Sequence, residues 1–388
     1  MNRLSLSLSF LLFPFASAAS EAEFNANYAA WKSINLSAAY DAGLSGKGVT
    51  VAVIDNGFLD THQEFEDKGK FIRIGDYTQN HGTSVASIIG AAQNDLGMQG
   101  VAYNAIIAAA AASDIKNDDG TDSKCTKCYA INEIFEALKD DKYKDVKIIN
   151  ASWGGKEVTA ALGGIPNKLL VAAAGNDMAL NPAYPALTPK SDSSLKNVIS
   201  VVAFNQNVSK DNPQFLASFT NLAGEAANWT ISAPGVRFYA ATGTADDAYD
   251  DKFSGTSAAA PVVSGAAALV QEKFSFLTGK QIGDILLTTA NNDFSGFAPY
   301  ALQEIVDEKN KENSKYRLVY FTDNTAGENN ALSKEDVLQR VGITCDEKNN
   351  CTMGTVKYEV VDLTYSAAYG AGILDVGKAL NGLGALDG

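Results

Sequence analysis

The sequence predicts a three-layer α/β fold, a mostly parallel central sheet with helices on both faces, and two observations carry that prediction. Short apolar, β-branched runs recur along the chain, and segments with helical periodicity lie between them. Val49–Ile54 is the first such run, and similar ones follow at Ala105–Ala112, Val146–Asn150, Leu169–Ala174 and Val198–Phe204. A run without polar alternation belongs to a strand buried on both faces. The helical patterns fall at Ser84–Ala92, Ala130–Leu138 and Ser257–Lys273. Strands alternating with helices in this way build a parallel sheet covered on both sides. From about residue 292 to 366 the composition turns charged and polar, and Ser333-x-x-Asp336 has the form of a capping box. That stretch reads as an insertion packed on the main fold. A Gly-punctuated segment, Tyr369–Leu380, follows it.

A chain of 388 residues is long enough for one large α/β domain with insertions. With 46% apolar and 20% charged residues it is not disordered. Its formal charge of −14 repels phosphate backbones and argues against nucleic acid as a partner. Four cysteines and two histidines leave little material for a thiolate or imidazole metal site. Any chemistry that needs an imidazole must therefore use His62 or His81.

Residues 1–18 combine an early arginine, an apolar stretch from Leu4 to Phe15 and an Ala16-Ser17-Ala18 site, the pattern of a signal peptide cut after Ala18. The expected mature chain, 19–388, is exported, secreted or held at the cell surface or in the periplasm, and is monomeric and not inserted in a membrane. Export permits disulfides. Cys125 and Cys128 are three apart and Cys345 and Cys351 six apart; of the three possible pairings, two local loops are the simplest.

Four residues at strand ends or helix starts supply the candidate chemistry. Asp55 follows the strand Val49–Ile54, at the carboxyl edge where open α/β sheets place their sites. His81, in His81-Gly82-Thr83, precedes a helix, with the glycine expected to leave room for a substrate chain. His62 lies in a polar run and is expected to pack or hydrogen-bond. Ser257 opens a helix of small residues, with its amide in the positive end of the helix dipole, and Pro261 is expected in the first turn. Asn176 follows the strand at Leu169 and delivers a side-chain amide. A serine needs a base to take its proton, the base needs an orienting carboxylate, and an oxyanion needs donors. Asp55, His81, Ser257 and Asn176 supply these parts.

The segments around these residues closely resemble those of subtilisin-like serine proteases. They are Gly46–Gly57 about the acid, His81–Ala86 about the base, Asn150–Gly155, Ala172–Asn176, and Phe253–Pro261 about the nucleophile, in the order Asp, His, Ser of that family. The resemblance implies a serine endopeptidase with Asp55, His81 and Ser257 as triad and Asn176 as oxyanion donor, acting on protein or peptide substrates. It implies that Ser152, Trp153 and Gly154 pair with an extended substrate and wall the first specificity pocket. Ala172, Ala173 and Ala174 form the other wall and Pro182–Pro185 the floor, which favours an apolar or aromatic side chain before the cut. No cofactor is required for the chemistry. A structural calcium is implied near Glu64 and the loop Ala92–Met98, with Asn94 as a ligand.

The family's histidine shortly after the nucleophile is replaced by Pro261-Val262-Val263, and too few residues precede the first strand for the usual pro-domain. By alignment the Cys125–Cys128 loop falls beside the substrate groove. The ending Leu374–Gly382 is similar to that of autotransporter subtilase passengers. The competing reading is a catalytically silent passenger that acts as a surface binding protein; such proteins usually lack a triad member, whereas this chain keeps Asp55, His81 and Ser257 together with Asn176. A serine esterase is excluded, because neither a G-x-S-x-G elbow nor the order Ser, Asp, His is present.

Overall fold

The computed structural model describes residues 18–66, 69–208, 215–324 and 331–382. Its centre is a seven-stranded, wholly parallel sheet formed by β1 (Thr50–Asp55), β2 (Phe71–Ile74), β3 (Ile106–Ala111), β4 (Ile148–Ala151), β5 (Leu169–Ala173), β6 (Val198–Phe204) and β7 (Thr230–Pro234). The order is β2-β3-β1-β4-β5-β6-β7. The five runs expected as strands are β1, β3, β4, β5 and β6. They are buried almost throughout, with β6 covered at all seven positions. β2 and β7 were not expected. β2 is a partly exposed edge, with the burial pattern of a half-covered strand.

Two hydrophobic clusters flank the sheet. One contains the helices Asn80–Gly90 and Thr256–Lys273, which pack on each other and on the sheet. The other, on the opposite face, contains Ile131, Ile134, Phe135 and Leu162 of two shorter helices. This is the covered sheet that the alternation of runs implied. The signal-peptide reading of residues 1–18 falls outside the described residues except for Ala18, where a helix Ala18–Asn25 begins.

Pro261 lies in the second turn of Thr256–Lys273, not in the first as expected. Having no N–H, it leaves the carbonyl of Ser257 without its usual partner four residues on. The Ser152 hydroxyl supplies the missing donor, at 3.0 Å. The helix that carries Ser257 is thereby tied to the strand edge beside it.

A hairpin of β8 (Phe238–Ala241) and β9 (Tyr249–Phe253) leads into that helix. The polar stretch expected as an insertion forms a second sheet. Its strands are β10 (Tyr300–Ile305), β11 (Lys315–Phe321), β12 (Thr344–Cys345), β13 (Cys351–Met353) and β14 (Val356–Leu363), in the order β10-β11-β14-β13-β12. Ser333 caps the helix Lys334–Val341 through the predicted box with Asp336. The two local disulfides, Cys125–Cys128 and Cys345–Cys351, are both present.

Candidate active site

Asp55 ends β1 at the carboxyl edge of the sheet and is fully buried. Its Oδ1 lies 2.8 Å from Nδ1 of His81 and also accepts the Asn56 amide at 2.7 Å. His81 stands in the first turn of the helix Asn80–Gly90 with about 30% of its side chain open to the cleft. Burial pulls its pKa down, but the charge and hydrogen bond of Asp55 and the charge of Asp118 outweigh it, so the imidazole titrates above its ordinary range. Gly82 does not make room for a substrate, as had been expected. A β-carbon there would lie 2.2 Å from the Gly57 carbonyl, so the glycine lets the helix approach the turn after β1.

Asp118 was not anticipated. Its Oδ2 accepts the Asn80 amide at 2.6 Å, and its Oδ1 accepts the His81 amide at 3.1 Å and the Asn56 side-chain amide at 2.9 Å. A carboxylate at a helix N-terminus satisfies free amides and complements the dipole. Here it comes from a distant loop, so no local capping pattern announces it. The adjoining cleft, about 1010 Å³, is lined by His81, Asp114, Asp118, Lys156 and Phe253 together with Ser152–Gly155. The Cys125–Cys128 staple does not line it. Cys125 and Lys127 instead lean on Asp76, beyond the end of β2.

Ser257 is the second residue of its helix. Its hydroxyl donates to the carbonyl of Ser152 at 3.0 Å, not to His81. Asn176 is oriented unambiguously: its Oδ1 accepts both the Thr256 amide at 2.8 Å and the Thr256 hydroxyl at 2.9 Å, which leaves Nδ2 as a free donor. A β-carbon on Gly255 would sit 3.4 Å from that Nδ2 and 3.5 Å from the Ser257 amide, so the two donors flank the same point. Gly255 itself has φ +133°, which a larger side chain rarely adopts.

Among the pocket residues, Ser152 and Gly154 lie in the cleft wall, and Gly155 hydrogen-bonds to the Tyr184 carbonyl at 2.8 Å, joining that wall to the expected floor. Trp153 also faces the cleft, but its indole N–H is spent on the Ile54 carbonyl. Ala172, Ala173 and Ala174 are buried and do not line the cleft; Ala172 packs in the far-side core.

His62 is wholly buried, with Nδ1 accepting the Glu64 amide and Nε2 against the Ala248 carbonyl at 2.9 Å. Burial pushes its pKa down, and this pair of partners suits the neutral ring. Glu64 is buried too. Its Oε1 takes the Met98 amide and the Tyr249 hydroxyl, while its Oε2 has no partner. Asn94 turns its Oδ1 to the Leu96 amide, and its Nδ2 donates to the Gln63 carbonyl. The buried Glu23 accepts the Asn94 and Leu96 amides.

Comparison with known proteins decides the family. Residues 46–330 match the model of the Subtilase family, Peptidase_S8. The chain belongs to the subtilase family. Subtilisin BL of Lederbergia lenta is 33% identical over 66% of this chain and 88% of its own length. The extracellular serine protease of Serratia marcescens is 27% identical over 70% of this chain, which spans about a third of that longer protein (32%). Among solved structures, fervidolysin from Fervidobacterium pennivorans, a keratinolytic enzyme related to subtilisin, superimposes with a TM-score of 0.53 at 25% identity, covering 69% of this chain and 42% of its own.

Proposed function

We propose that the chain is a serine endopeptidase that cleaves protein or peptide substrates through an acyl-enzyme. The observation that carries this reading is the 2.8 Å contact between His81 Nδ1 and the buried Asp55, beside a nucleophile helix whose start is held by Asn176. An extended substrate pairing with the edge Ser152–Gly154 competes for the Ser152 carbonyl and releases the Ser257 hydroxyl, which turns to His81 Nε2. Ser257 Oγ attacks the scissile carbonyl and its proton passes to Nε2. The imidazolium is stabilised by Asp55 through Nδ1 and at longer range by Asp118. The oxyanion receives Asn176 Nδ2 and the Ser257 amide. Collapse expels the amine, which leaves with the proton from Nε2; water then enters by the same base and hydrolyses the ester. The test is hydrolysis of an unfolded protein substrate by the purified chain. Ser257→Ala is expected to abolish it, and retention of full activity in that variant would overturn the reading.

The same reading places the chain outside the cytoplasm. Two disulfides suit an oxidising compartment, and the pattern of residues 1–18 suits export; sequencing the N-terminus of exported protein tests the cut after Ala18. The affinity with autotransporter passengers rests on the Leu374–Gly382 resemblance alone, and a monomer is the expected state in sedimentation.

Calcium at Glu64 and Asn94 does not fit the donor set. Calcium takes six to eight oxygens, whereas this loop presents the amides of Asn94, Leu96 and Met98 to the two glutamates. Among the described residues, no group of three or more His, Cys, Asp or Glu side chains is placed to hold a metal. In our reading Glu23 and Glu64 close the loop directly, and Glu64, pushed up to about 7 by burial, keeps its proton up to near-neutral pH.

A further inference from the structure

The second sheet lies outside the parallel core, yet one of its buried side chains reaches the loop that carries the oxyanion amide and a second reaches the segment bonded to that loop. Arg317 on β11 is 7% exposed, and Gln303 on β10 is fully buried. The Arg317 guanidinium donates to the carbonyl of Met178, two residues beyond Asn176. It also donates to Gln303 Oε1 at 3.2 Å. On its outer side it is held by Glu359 on β14, through Nε at 2.8 Å and Nη2 at 2.7 Å. Gln303 in turn donates to the Thr220 carbonyl at 2.9 Å.

Those two carbonyls belong to two segments that meet at Asn221. Its side-chain oxygen accepts the amides of Asp177 and Ala179, both at 2.9 Å, and its side-chain nitrogen donates to the Ala174 carbonyl at 2.9 Å. Its own amide donates to Gly175, also at 2.9 Å. Asn221 thus binds the chain on both sides of Asn176. The clamped turn is not a relaxed one, because Met178 sits at φ +57°, in the left-handed region that costs a non-glycine residue free energy. A backbone held there needs partners that favour it, and Arg317 bonds the carbonyl of that very residue.

We propose that Arg317, with Gln303 beside it, is a positioning residue for the oxyanion donor, and that the polar insertion is the brace of the subtilase site. This inference rests on the protease reading above. The carbonyls of Met178 and Thr220 are fixed by the second sheet, Asn221 is fixed between them, and Asn176 Nδ2 is aimed in advance of the reaction. Preorganised donors stabilise charge that develops only in the transition state, so loss of the brace lowers kcat and leaves KM nearly unchanged.

The experiment uses the full chain, a peptide p-nitroanilide substrate, and Arg317→Met alone and combined with Asn176→Ala. Arg317→Met is expected to lower kcat by about tenfold or more, a fraction of the roughly 10²–10³-fold expected for loss of the donor itself. In the Asn176→Ala background the same substitution is expected to cost almost nothing more, because the two residues act as a unit. Arg317→Lys, which keeps a donor for the Met178 carbonyl, is expected to recover part of the rate. An equal kcat loss in both backgrounds, or an unchanged kcat in folded Arg317→Met, would overturn the proposal. Amide hydrogen exchange at Asp177 and Ala179 gives a readout that does not depend on activity. Faster exchange in Arg317→Met supports the brace even if the protease reading fails, and unchanged protection refutes it. If Arg317→Met does not fold, Glu359→Ala, which removes only the half-exposed outer partner, is expected to show the same non-additivity at smaller size; additive losses there refute the brace.

Discussion

The chain has two histidines, and each stands beside a buried carboxylate, yet the two corners do opposite things. At the edge of the central sheet, Asp55 touches the ring of His81 directly and the imidazole is pushed upward in pKa. Near the hairpin, Glu64 does not receive the His62 ring. The His62 nitrogens meet the Glu64 amide and the Ala248 carbonyl, and the pKa is pushed downward. The carboxylates themselves are supplied alike. Asp55 Oδ1 meets the imidazole and the Asn56 amide, Glu64 Oε1 accepts the Met98 amide and the Tyr249 hydroxyl, and each leaves its second oxygen without a partner; burial raises Glu64 to about 7. What a histidine does here is decided by which atom meets its ring nitrogen and by whether the ring reaches the cleft, not by the nearness of an acid.

The largest expected effect would break this contrast at its first member. His81→Ala is expected to lower kcat on the order of a millionfold, the magnitude known for removal of the base from subtilisin itself. His62→Ala is expected to leave kcat of the folded protein within a few-fold of wild type. It loses ring contacts with Phe65 and Tyr249 and should cost about 2–4 kcal/mol of stability. Parallel kinetics and denaturant melts on the two variants check both statements, and the reverse pattern would exchange the roles of the two histidines.

A smaller effect sharpens the Glu64 side. Its folded pKa is raised above the ordinary 4.5, so the folded state holds the proton more tightly than the unfolded one. That contribution is fully present below about pH 4.5 and is lost as pH rises through about 7. Glu64→Gln removes the titration. Its melting temperature relative to wild type is therefore expected to be more favourable at pH 8 than at pH 5, and a chelator should change neither protein. A wild-type melting temperature that rises with added calcium, with no such rise in the variant, would restore the cation site.

The smallest effect concerns Asp118. The groups facing His81 are Asp55 from β1 and Asp118 from the loop, with Asp114, Lys116, Lys156, Tyr249 and Asp250 farther along the cleft. Asp118 raises the His81 pKa, so Asp118→Asn is expected to move the acid limb of kcat/KM to lower pH. An unmoved limb would reduce Asp118 to a helix cap.

How much of this could be read from the sequence follows from how each part is buried. Strands β1, β3, β4, β5 and β6 are covered on both faces, so their apolar runs are continuous and their ends locate Asp55 and Asn176. β14 alternates between half-buried and exposed positions, so its stretch reads only as polar composition and its sheet was not foreseen. Asp55, His81, Ser257 and Asn176 could be singled out as candidates because they sit in short motifs at element ends. Asp118, Asn221 and Arg317 could not, because each acts through backbone groups far away in sequence, and such contacts leave no local pattern. Pro261 was misplaced by one turn, since the compensating hydroxyl of Ser152 lies 105 residues earlier in the chain.

The central claim is that Asp55, His81 and Asn176 activate and serve one hydroxyl. The most direct measurement is covalent labelling of the purified chain with a fluorophosphonate probe, with Ser257→Ala alongside. The account predicts rapid labelling of wild type and none of Ser257→Ala. A demonstrably folded wild type that takes no label, or a variant that labels equally, would contradict it.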